Sequence, residues 1–366
     1  MLKLLPALFA IAFATTAHAQ TQACAPAKAG HARCHARLLG SSTNPQAPSG
    51  YTPANLLSAY KITTSGSSNT VVAAVTAYGY TNAEADLGVY RAQFGLSACT
   101  TANGCFEKLN QNGVQGSYPA QNIGWAEEAA LDIDMASAMC PNCRIWLFEA
   151  NTASIANLAA TVNTAASLGA HAIINSYGGT GTFSSTIQNA YHHLGIALTA
   201  PVGDDGFGNA EFPGSSPYVT AVGGTHLVPA LNPRGWAETG WTTGACTSFP
   251  KQSWQTDPGC ANRTIADVAA VADPGVAVYA PQSSGVSAWL VFGGTSVPTA
   301  IIGGVYGNNG GTVTYGSNPY AHPAALFDIT SGPGGVCTPS YLCNAQVGYD
   351  GPTGVGTPKG VKAFGP

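Results

Sequence analysis

Two acidic residues one helical turn apart can share a proton and act as a general base. Residues 125–139 have helix-forming composition and hold four acids, Glu127, Glu128, Asp132 and Asp134. Glu128 and Asp132 are i and i+4, so they lie on one face of that helix. A solvated acidic face is the simpler interpretation of this segment alone. The functional alternative is a carboxylate pair in which one pKa is raised strongly.

A candidate nucleophile, Ser296, ends the sequence V-F-G-G-T-S at residues 291–296 and precedes an apolar helical stretch at 299–306. A serine after a glycine-rich turn, at the start of a helix, lies close to backbone N–H donors that could stabilise an oxyanion. Gly-Gly-Thr also occurs at residues 223–225 and 310–312. An ordinary turn is therefore the alternative interpretation.

Three further aspartates follow predicted strands or lie in loops. Asp204 comes directly after a strand, within G-D-D-G at residues 203–206, where parallel sheets gather catalytic groups. Asp328 and Asp350 lie in D-I-T and G-Y-D-G-P-T-G-V-G-T-P, where carboxylates and loop carbonyls would suit calcium. A turn is the alternative for all three: Asp205-Gly206 favours one beside Asp204, and the spacing of Asp328 and Asp350 matches no EF-hand.

The elements that must position these residues alternate between strands and helices. β-branched or apolar runs predict strands at residues 70–76, 144–148, 172–175, 197–202 and 218–222. Helices are predicted between or beside them at residues 82–94, 125–139, 155–168 and 184–194. This alternation predicts an α/β fold with a parallel sheet covered on both faces, and one catalytic domain at residues 50–366.

In their order along the chain, these motifs resemble the sedolisin, or serine-carboxyl peptidase, family. The family's E-x-x-L-D helix matches residues 128–132, and its G-D-x-G turn with the following P-x-S-S-P-Y-V-T-A-V-G-G-T run matches residues 203–225. Its G-G-T-S motif matches residues 293–296, and its C-terminal D-I-T and G-Y-D-x-x-T-G-x-G-T-P motifs match residues 328–330 and 348–358.

The resemblance implies a subtilisin-like fold and a secreted, acid-acting endopeptidase with a Ser-Glu-Asp triad. It makes Ser296 the nucleophile, Glu128 the general base, Asp132 the residue that orients Glu128, and Asp204 a contributor to the oxyanion hole. A carboxylate is an effective base near its own pKa, so such a triad belongs at low pH. Asp204 can donate a hydrogen bond only while it is protonated, which also favours acid.

The resemblance also implies one structural calcium ion. Its ligands would be the carboxylates of Asp328 and Asp350 and the main-chain oxygens of Ile329, Gln346 and Gly348.

Two departures from the family pattern stand out. Pro298 comes two residues after Ser296, whereas Ala300 occupies the family's usual proline position. The long N-terminal prodomain usual in the family is not expected before the domain, because only a short segment, residues 20–49, separates it from the signal peptide. The chain would then fold and control itself in another way or use residues 21–49 as a short pro-segment.

Composition fits an exported protein. A basic residue, an apolar run and A-H-A at residues 17–19 predict a signal peptide over residues 1–19. Ten cysteines are then expected to form disulfides between neighbours, although connectivity stays open and Cys140 and Cys143 could instead form a redox or zinc motif. Net charge is −4, with no basic block that would suggest nucleic acid or an anionic membrane. Protein or peptide substrates and a monomeric state are expected.

The sequence lacks the motifs of two other protease classes. None of the 8 histidines precedes Gly-Thr, as a true subtilisin would require, and neither Asp-Thr-Gly nor Asp-Ser-Gly of an aspartic protease occurs. The remaining alternative is a catalytically impaired secreted protein of the same fold that binds peptides without cleaving them. The presence together of Glu128, Asp132, Asp204 and Ser296 favours the enzyme.

Overall fold

A computed structural model of the chain describes residues 20–42, 44 and 48–366. The predicted signal peptide lies outside the described residues. The longer helices carry the capping or small residues that helix ends require. The helices are α1 (Pro53–Ala59), α2 (Ala83–Gln93), α3 (Ile123–Met139), α4 (Ile155–Ser167), α5 (Ser185–Asn189), α6 (Ser296–Asn309) and α7 (Ser317–Ala321).

The strands vary from two-residue pairings to long sheet members. They are β1 (Thr21–Gln22), β2 (Arg33–Cys34), β3 (Arg37–Ser41), β4 (Val71–Ala77), β5 (Phe106–Asn110), β6 (Arg144–Ala150), β7 (Ala172–Ile174), β8 (Tyr177–Gly178), β9 (Ala197–Pro201), β10 (Thr220–Pro229), β11 (Trp236–Gly240), β12 (Ala245–Cys246), β13 (Thr264–Ile265), β14 (Val268–Asp273), β15 (Val276–Ser283), β16 (Val286–Gly293), β17 (Leu326–Phe327) and β18 (Thr357–Pro358).

An eight-stranded sheet forms the centre of the molecule, in the order β11-β10-β9-β7-β4-β6-β5, with β14 also paired to β10. Its pairs are parallel except for β10 with β11. The side chains of β4 alternate between two hydrophobic clusters: Val72 packs in the one that includes α3 and α6, and Val71 in the one that includes α4. The predicted α/β fold, with a mainly parallel sheet between helical layers, is confirmed.

Most predicted elements match the observed ones within a few residues. The helix predicted at residues 184–194 is shorter, because α5 ends at Asn189. Tyr191 is buried there, and its hydroxyl lies 3.1 Å from that of Tyr177. The chain therefore turns into the core where a longer helix would keep it on the surface.

A second, antiparallel sheet joins the N-terminal residues to the catalytic body in the order β1-β3-β16-β15. In addition, β2 pairs antiparallel with β8. The stretch that precedes residue 50 thus contributes three strands, of which β2 and β3 pair with strands on either side of the predicted nucleophile.

All ten cysteines pair with their neighbours in sequence, as expected, and none is free. The bridges are Cys24–Cys34, Cys99–Cys105, Cys140–Cys143, Cys246–Cys260 and Cys337–Cys343. No helix within the described residues is long and apolar enough to cross a bilayer.

Candidate active site

The predicted carboxylate pair lies in the buried interior, against the expectation of a solvated acidic face. Asn122 caps α3, with its side-chain oxygen accepting the N–H of Trp125 at 3.2 Å. The helix then packs against α6, β15 and β4, and the side chains of Glu128 and Asp132 are fully buried. Two carboxylates in such a setting need partners or protons, because an isolated buried charge is costly.

Ser296 is the partner of Glu128. β16 ends at Gly293, Gly294 turns with φ of 83°, and α6 begins at Ser296 itself. The Ser296 hydroxyl lies 2.7 Å from Glu128 Oε2, to which it donates, and also lies 3.2 Å from the carbonyl oxygen of Ser176. The base and nucleophile predicted from separate motifs are therefore in direct contact.

Pro298 does not displace the start of the helix behind the nucleophile. It occupies the third position of α6, within the first turn. Backbone N–H groups there have no intrahelical acceptor, so a proline removes no helical hydrogen bond. The departure from the family pattern is accommodated locally.

Asp132 is held by a hydroxyl rather than by a cation. Its Oδ1 accepts the Ser176 hydroxyl at 2.5 Å. Oδ2 of Asp132 and Oε1 of Glu128 are buried and have no hydrogen-bond partner among the described residues. A proton on one of the two carboxyls would supply the missing donor. Shared protonation of the pair is thus consistent with the geometry.

Burial is the largest influence on the pKa values of Glu128 and Asp132. Desolvation, together with the neighbouring charge of Asp132, raises the pKa of Glu128 well above its usual range, and the bond from Ser296 only partly opposes this. Burial likewise raises the pKa of Asp132. Two interacting carboxyls lose their protons in two separated steps, so the pair carries a single negative charge over a wide pH interval.

Asp204 lies at the carboxyl end of β9, as predicted, on the other side of Ser296. Its Oδ1 accepts the Thr295 N–H at 2.9 Å and the Thr295 hydroxyl at 2.7 Å. Its Oδ2 accepts Nε of Arg37 at 2.6 Å. Although burial opposes it, the charges of His35 and Arg37 lower the pKa of Asp204 below its usual value.

Several residues at the site were not identified from the sequence. Ala36 donates its N–H to Glu128 Oε2 at 2.9 Å, the same oxygen that accepts from Ser296. His35 is fully buried, and its Nε2 lies 2.6 Å from Oε2 of Glu211. These residues, with Arg37, carry no motif. The signal that could have indicated them is the concentration of His and Arg at residues 31–37 in a chain with only 8% charged residues.

The predicted metal ligands converge at the C-terminal loop. Asp328 Oδ2 accepts the Gly348 N–H at 3.0 Å, and Asp350 Oδ2 accepts the Gln346 N–H at 2.9 Å. Burial, with a contribution from the charge of Asp328, raises the pKa of Asp350 to about 7. Within the described residues no group of three or more His, Cys, Asp or Glu could hold a metal. The predicted calcium ligands are not a group of that type, because they are two carboxylates and three main-chain carbonyl oxygens.

Comparison with known proteins gives one similar sequence and several similar folds. No protein-family model matches the chain. Kumamolisin from Bacillus sp. (strain MN-32) is 29% identical over an alignment of 360 residues, and the match covers 86% of this chain. The chain spans 63% of the length of that relative.

Solved structures share the fold. Pseudomonas sedolisin, a serine-carboxyl proteinase complexed with two molecules of pseudo-iodotyrostatin, matches with a TM-score of 0.70 and 22% identity over 86% of this chain and 96% of its own. Fervidolysin from Fervidobacterium pennivorans, a keratinolytic enzyme related to subtilisin, matches with a TM-score of 0.54 and 16% identity over 88% of this chain and 48% of its own. Sphericase matches with a TM-score of 0.53 and 17% identity over 87% of this chain and 99% of its own.

The resemblance predicted from the motifs is therefore confirmed: the chain is similar in sequence to the sedolisin relative kumamolisin and has the subtilisin-like fold of sedolisin.

Proposed function

We propose that this chain is a serine-carboxyl endopeptidase that hydrolyses peptide bonds of protein substrates at acid pH. The observation that carries the proposal is the 2.7 Å hydrogen bond from the Ser296 hydroxyl to a buried carboxylate oxygen of Glu128. A serine hydroxyl is a weak nucleophile until an adjacent base takes its proton. In the described structure the group placed to do so is a carboxylate, not an imidazole.

The geometry supports a division of roles. Ser296 attacks the substrate carbonyl while Glu128 takes its proton and later passes it to the leaving amine. Asp132 orients and electrostatically restrains Glu128, because the two share one buried face of α3. Asp204, in its protonated form, donates to the oxyanion. One donor of this kind is worth roughly 3 kcal/mol of activation free energy.

The dependence on acid follows from these roles. The active form needs one negative charge on the Glu128–Asp132 pair and a proton on Asp204. Asp204 can hold this proton only in acid, because its deprotonation converts a donor into a charge that repels the oxyanion, and the charges of His35 and Arg37 move this requirement to still lower pH.

We also propose that the enzyme binds one structural calcium ion. Asp328 and Asp350, with carbonyl oxygens of Ile329, Gln346 and Gly348, form a set of hard oxygen donors that suits this ion. The raised pKa of Asp350 supports the site, since part of the rise comes from the nearby charge of Asp328. When bound, the ion would neutralise that repulsion and fix the loop to the domain.

Export is part of the proposal. Residues 1–19 have the composition of a signal peptide, and five disulfides suit an oxidising compartment. We propose that the protein is secreted, that it acts as a monomer, and that neither nucleic acid nor a membrane is a partner.

One observation favours the second candidate function, a peptide-binding protein that does not cleave. Ser296 is fully buried beneath the protein's own residues, so its hydroxyl is covered in this structure. A protein that binds peptides without cleaving them would likewise have a filled cleft and a covered serine.

Hydrolysis of a denatured protein at pH 3 to 5, followed by the release of acid-soluble peptides, separates the two functions. The peptidase is expected to release peptides, and Ser296→Ala is expected to lower the rate by about 10³-fold or more. Binding of the denatured protein without peptide release, by both the natural chain and the Ser296→Ala variant, would instead support the non-catalytic function.

A further inference from the structure

Ser176 contacts two members of the proposed triad through two different groups. It lies in the short link between β7 and β8, just beyond the carboxyl end of β7, and is fully buried. Its hydroxyl donates to Oδ1 of Asp132 at 2.5 Å, and its carbonyl oxygen accepts the hydroxyl of Ser296 at 3.2 Å. The residue therefore joins the two ends of the triad, although no sequence motif indicated it.

The backbone that carries Ser176 is held in place on both sides. The N–H of Asn175 donates to the carbonyl oxygen of Thr199 at 3.0 Å, and the Asn175 Nδ2 donates to the same oxygen at 3.2 Å. The N–H of Tyr177 donates to the carbonyl oxygen of Asn175 at 2.7 Å, and Tyr177 then pairs with Cys34 where β8 meets β2. The Ser176 hydroxyl is therefore presented to α3 from a fixed backbone, as a positioning group requires.

The hydrogen bond from Ser176 makes the two oxygens of Asp132 different. Oδ1 accepts the Ser176 hydroxyl, whereas Oδ2 is buried and has no partner among the described residues. A protonated carboxyl carries its proton on one oxygen and keeps the other as an acceptor. Because Oδ1 is already an acceptor, a proton on Asp132 belongs on Oδ2, from which it can be donated onward.

Glu128 shows the same division between its oxygens. Its Oε2 accepts the Ser296 hydroxyl at 2.7 Å and the Ala36 N–H at 2.9 Å, and its Oε1 is buried without a partner in the described part of the chain. Glu128 and Asp132 lie one turn apart on one face of α3. The two oxygens that lack a partner thus belong to neighbouring side chains, one able to hold a proton and the other able to accept it.

The number of donors decides which carboxyl carries the negative charge. Hydrogen bonds to a carboxylate favour its charged form. Glu128 accepts two such bonds, and Asp132 accepts one. The single charge of the pair therefore lies mainly on Glu128, and the proton lies on Asp132. This is the distribution that a base at Glu128 requires.

Other groups near the pair do not reverse this distribution. Burial and the charge of Asp132 raise the pKa of Glu128, and the charge of His35 opposes them, which favours a charged Glu128. Burial raises the pKa of Tyr177 well above its usual value, so this neighbour of Ser176 stays neutral. No lysine or arginine of the described residues forms an ion pair with either carboxyl. The Ser176 hydroxyl is the one hydrogen-bond donor that the described residues offer to Asp132.

The carbonyl oxygen of Ser176 limits the rotation of the nucleophile. The Ser296 hydroxyl has one proton and two acceptors nearby, Glu128 Oε2 at 2.7 Å and the Ser176 oxygen at 3.2 Å. The nearer acceptor is the carboxylate, and a charged acceptor forms the stronger bond. The carbonyl oxygen therefore serves as a second, weaker acceptor that keeps the hydroxyl on the side of Glu128.

We propose that Ser176 is a positioning residue of the triad: its hydroxyl directs the proton of Asp132 to Oδ2, from which that proton is shared with Glu128. This inference rests on the proposed peptidase function and adds a residue to it. Ser176 acts through Asp132 and not on the substrate. Without the hydroxyl, the proton can occupy either oxygen of Asp132, and the side chain loses the bond that fixes its rotation.

Ser176→Ala tests this role, because it removes the hydroxyl and keeps the carbonyl oxygen. The measurement is the pH dependence of kcat and kcat/KM on one peptide substrate, together with the Tm of each variant. We expect kcat to fall by about tenfold or more with little change in KM. We also expect the acid limb of kcat/KM to move by about one pH unit towards higher pH, because a carboxyl pair that loses a donor is harder to ionise.

Two further variants separate the hydroxyl from the size of the side chain. Ser176→Thr keeps a hydroxyl on the same carbon atom and should return the acid limb to its natural position. Ser176→Cys places a weaker donor there and should shift the limb in the same direction as Ser176→Ala. The cysteine variant therefore decides the question if the alanine variant does not fold.

Ser137→Ala is the matched control. Ser137 is also a fully buried serine of α3, but its hydroxyl accepts Nη1 of Arg91 at 3.0 Å and makes no hydrogen bond to the carboxyl pair. This substitution should lower the Tm and leave the acid limb of kcat/KM unchanged.

The possible outcomes separate this inference from the function on which it rests. An acid limb that stays in place in Ser176→Ala, or that moves equally in Ser137→Ala, overturns the inference and leaves the peptidase function standing. An acid limb in Ser176→Thr that matches the one in Ser176→Ala has the same consequence. Absence of hydrolysis by the natural chain at every acid pH overturns the proposed function, and this inference with it.

Discussion

Glu128 and Asp132 lie one turn apart on a buried helix, and each keeps one carboxylate oxygen without a hydrogen-bond partner among the described residues. A proton on one of the two carboxyls would supply a donor that the surrounding side chains do not. In this arrangement the two carboxyl groups share a single proton next to the Ser296 hydroxyl.

The role of Glu128 as base predicts a sharp contrast with its neighbour. Glu128→Gln should lower kcat by roughly 10³-fold or more, because the amide cannot take the Ser296 proton. Glu127→Gln should keep most of the activity, since consecutive helical side chains point about 100° apart. Steady-state kinetics of both variants on one peptide provide the measurement. Comparable losses would mean that the wrong face of α3 has been assigned.

A second pair of neighbours tests the oxyanion donor. Asp204→Asn should lower kcat by about 10²–10³-fold, because the donor is lost or misplaced, with little change in KM. Asp205→Asn is the control, since the Asp205 side chain is partly exposed and pairs with Arg33 rather than with Thr295 or Arg37. If Asp204→Asn proved as active as Asp205→Asn, Asp204 would have no part in the chemistry.

Buried acids predict that the fold is more stable in acid than at neutral pH. Burial raises the pKa of Glu127 from 4.5 to about 7, so its folded form holds a proton that the unfolded form has lost. Stability from this group is full below about pH 4.5 and is lost as pH rises through about 7. The contribution is on the order of 3 kcal/mol.

Calorimetry of Ser296→Ala, which excludes self-cleavage, should give a higher Tm at pH 4.5 than at pH 7.5. Adding Glu127→Gln should reduce the difference between the two pH values. A Tm that rises towards pH 7.5 in both forms would contradict this assignment of a protonated Glu127.

Calcium should stabilise the fold in a pH-dependent manner. Chelation at pH 6 should lower the Tm of Ser296→Ala, because an ion bound only to the folded state stabilises it by mass action. The effect should shrink towards pH 4, since the ion must displace the proton that Asp350 holds below about pH 7. Asp328→Asn should remove the response to calcium. An unchanged Tm on chelation at pH 6 would reduce Asp328 and Asp350 to turn aspartates.

Local patterns in the sequence were enough to predict five of the eight strands of the central sheet, whereas the pairing of Ser296 with Glu128 was predicted from the resemblance to the sedolisin family. The strands of that sheet are continuous apolar runs because both faces are buried, and the motifs of the site are contiguous. The hairpin of β15 and β16 was not predicted, nor was its pairing with β3, because strand pairing at long range depends on partners that no local pattern names.

The same reason explains why His35, Arg37 and Glu211 were not identified. His35 and Glu211 are far apart in sequence, and their 2.6 Å contact exists only once β2 has paired with β8. The sequence of residues 20–49, rich in Ala and Pro, suggested only a short N-terminal segment.

The pH dependence of kcat/KM, measured on a peptide substrate, tests the carboxyl triad most directly. The account predicts a maximum well below neutral pH and loss of activity near pH 7, because the oxyanion donor is a carboxyl group that must keep its proton while the base is a carboxylate. A maximum above pH 7 would contradict the account and would indicate a histidine base instead.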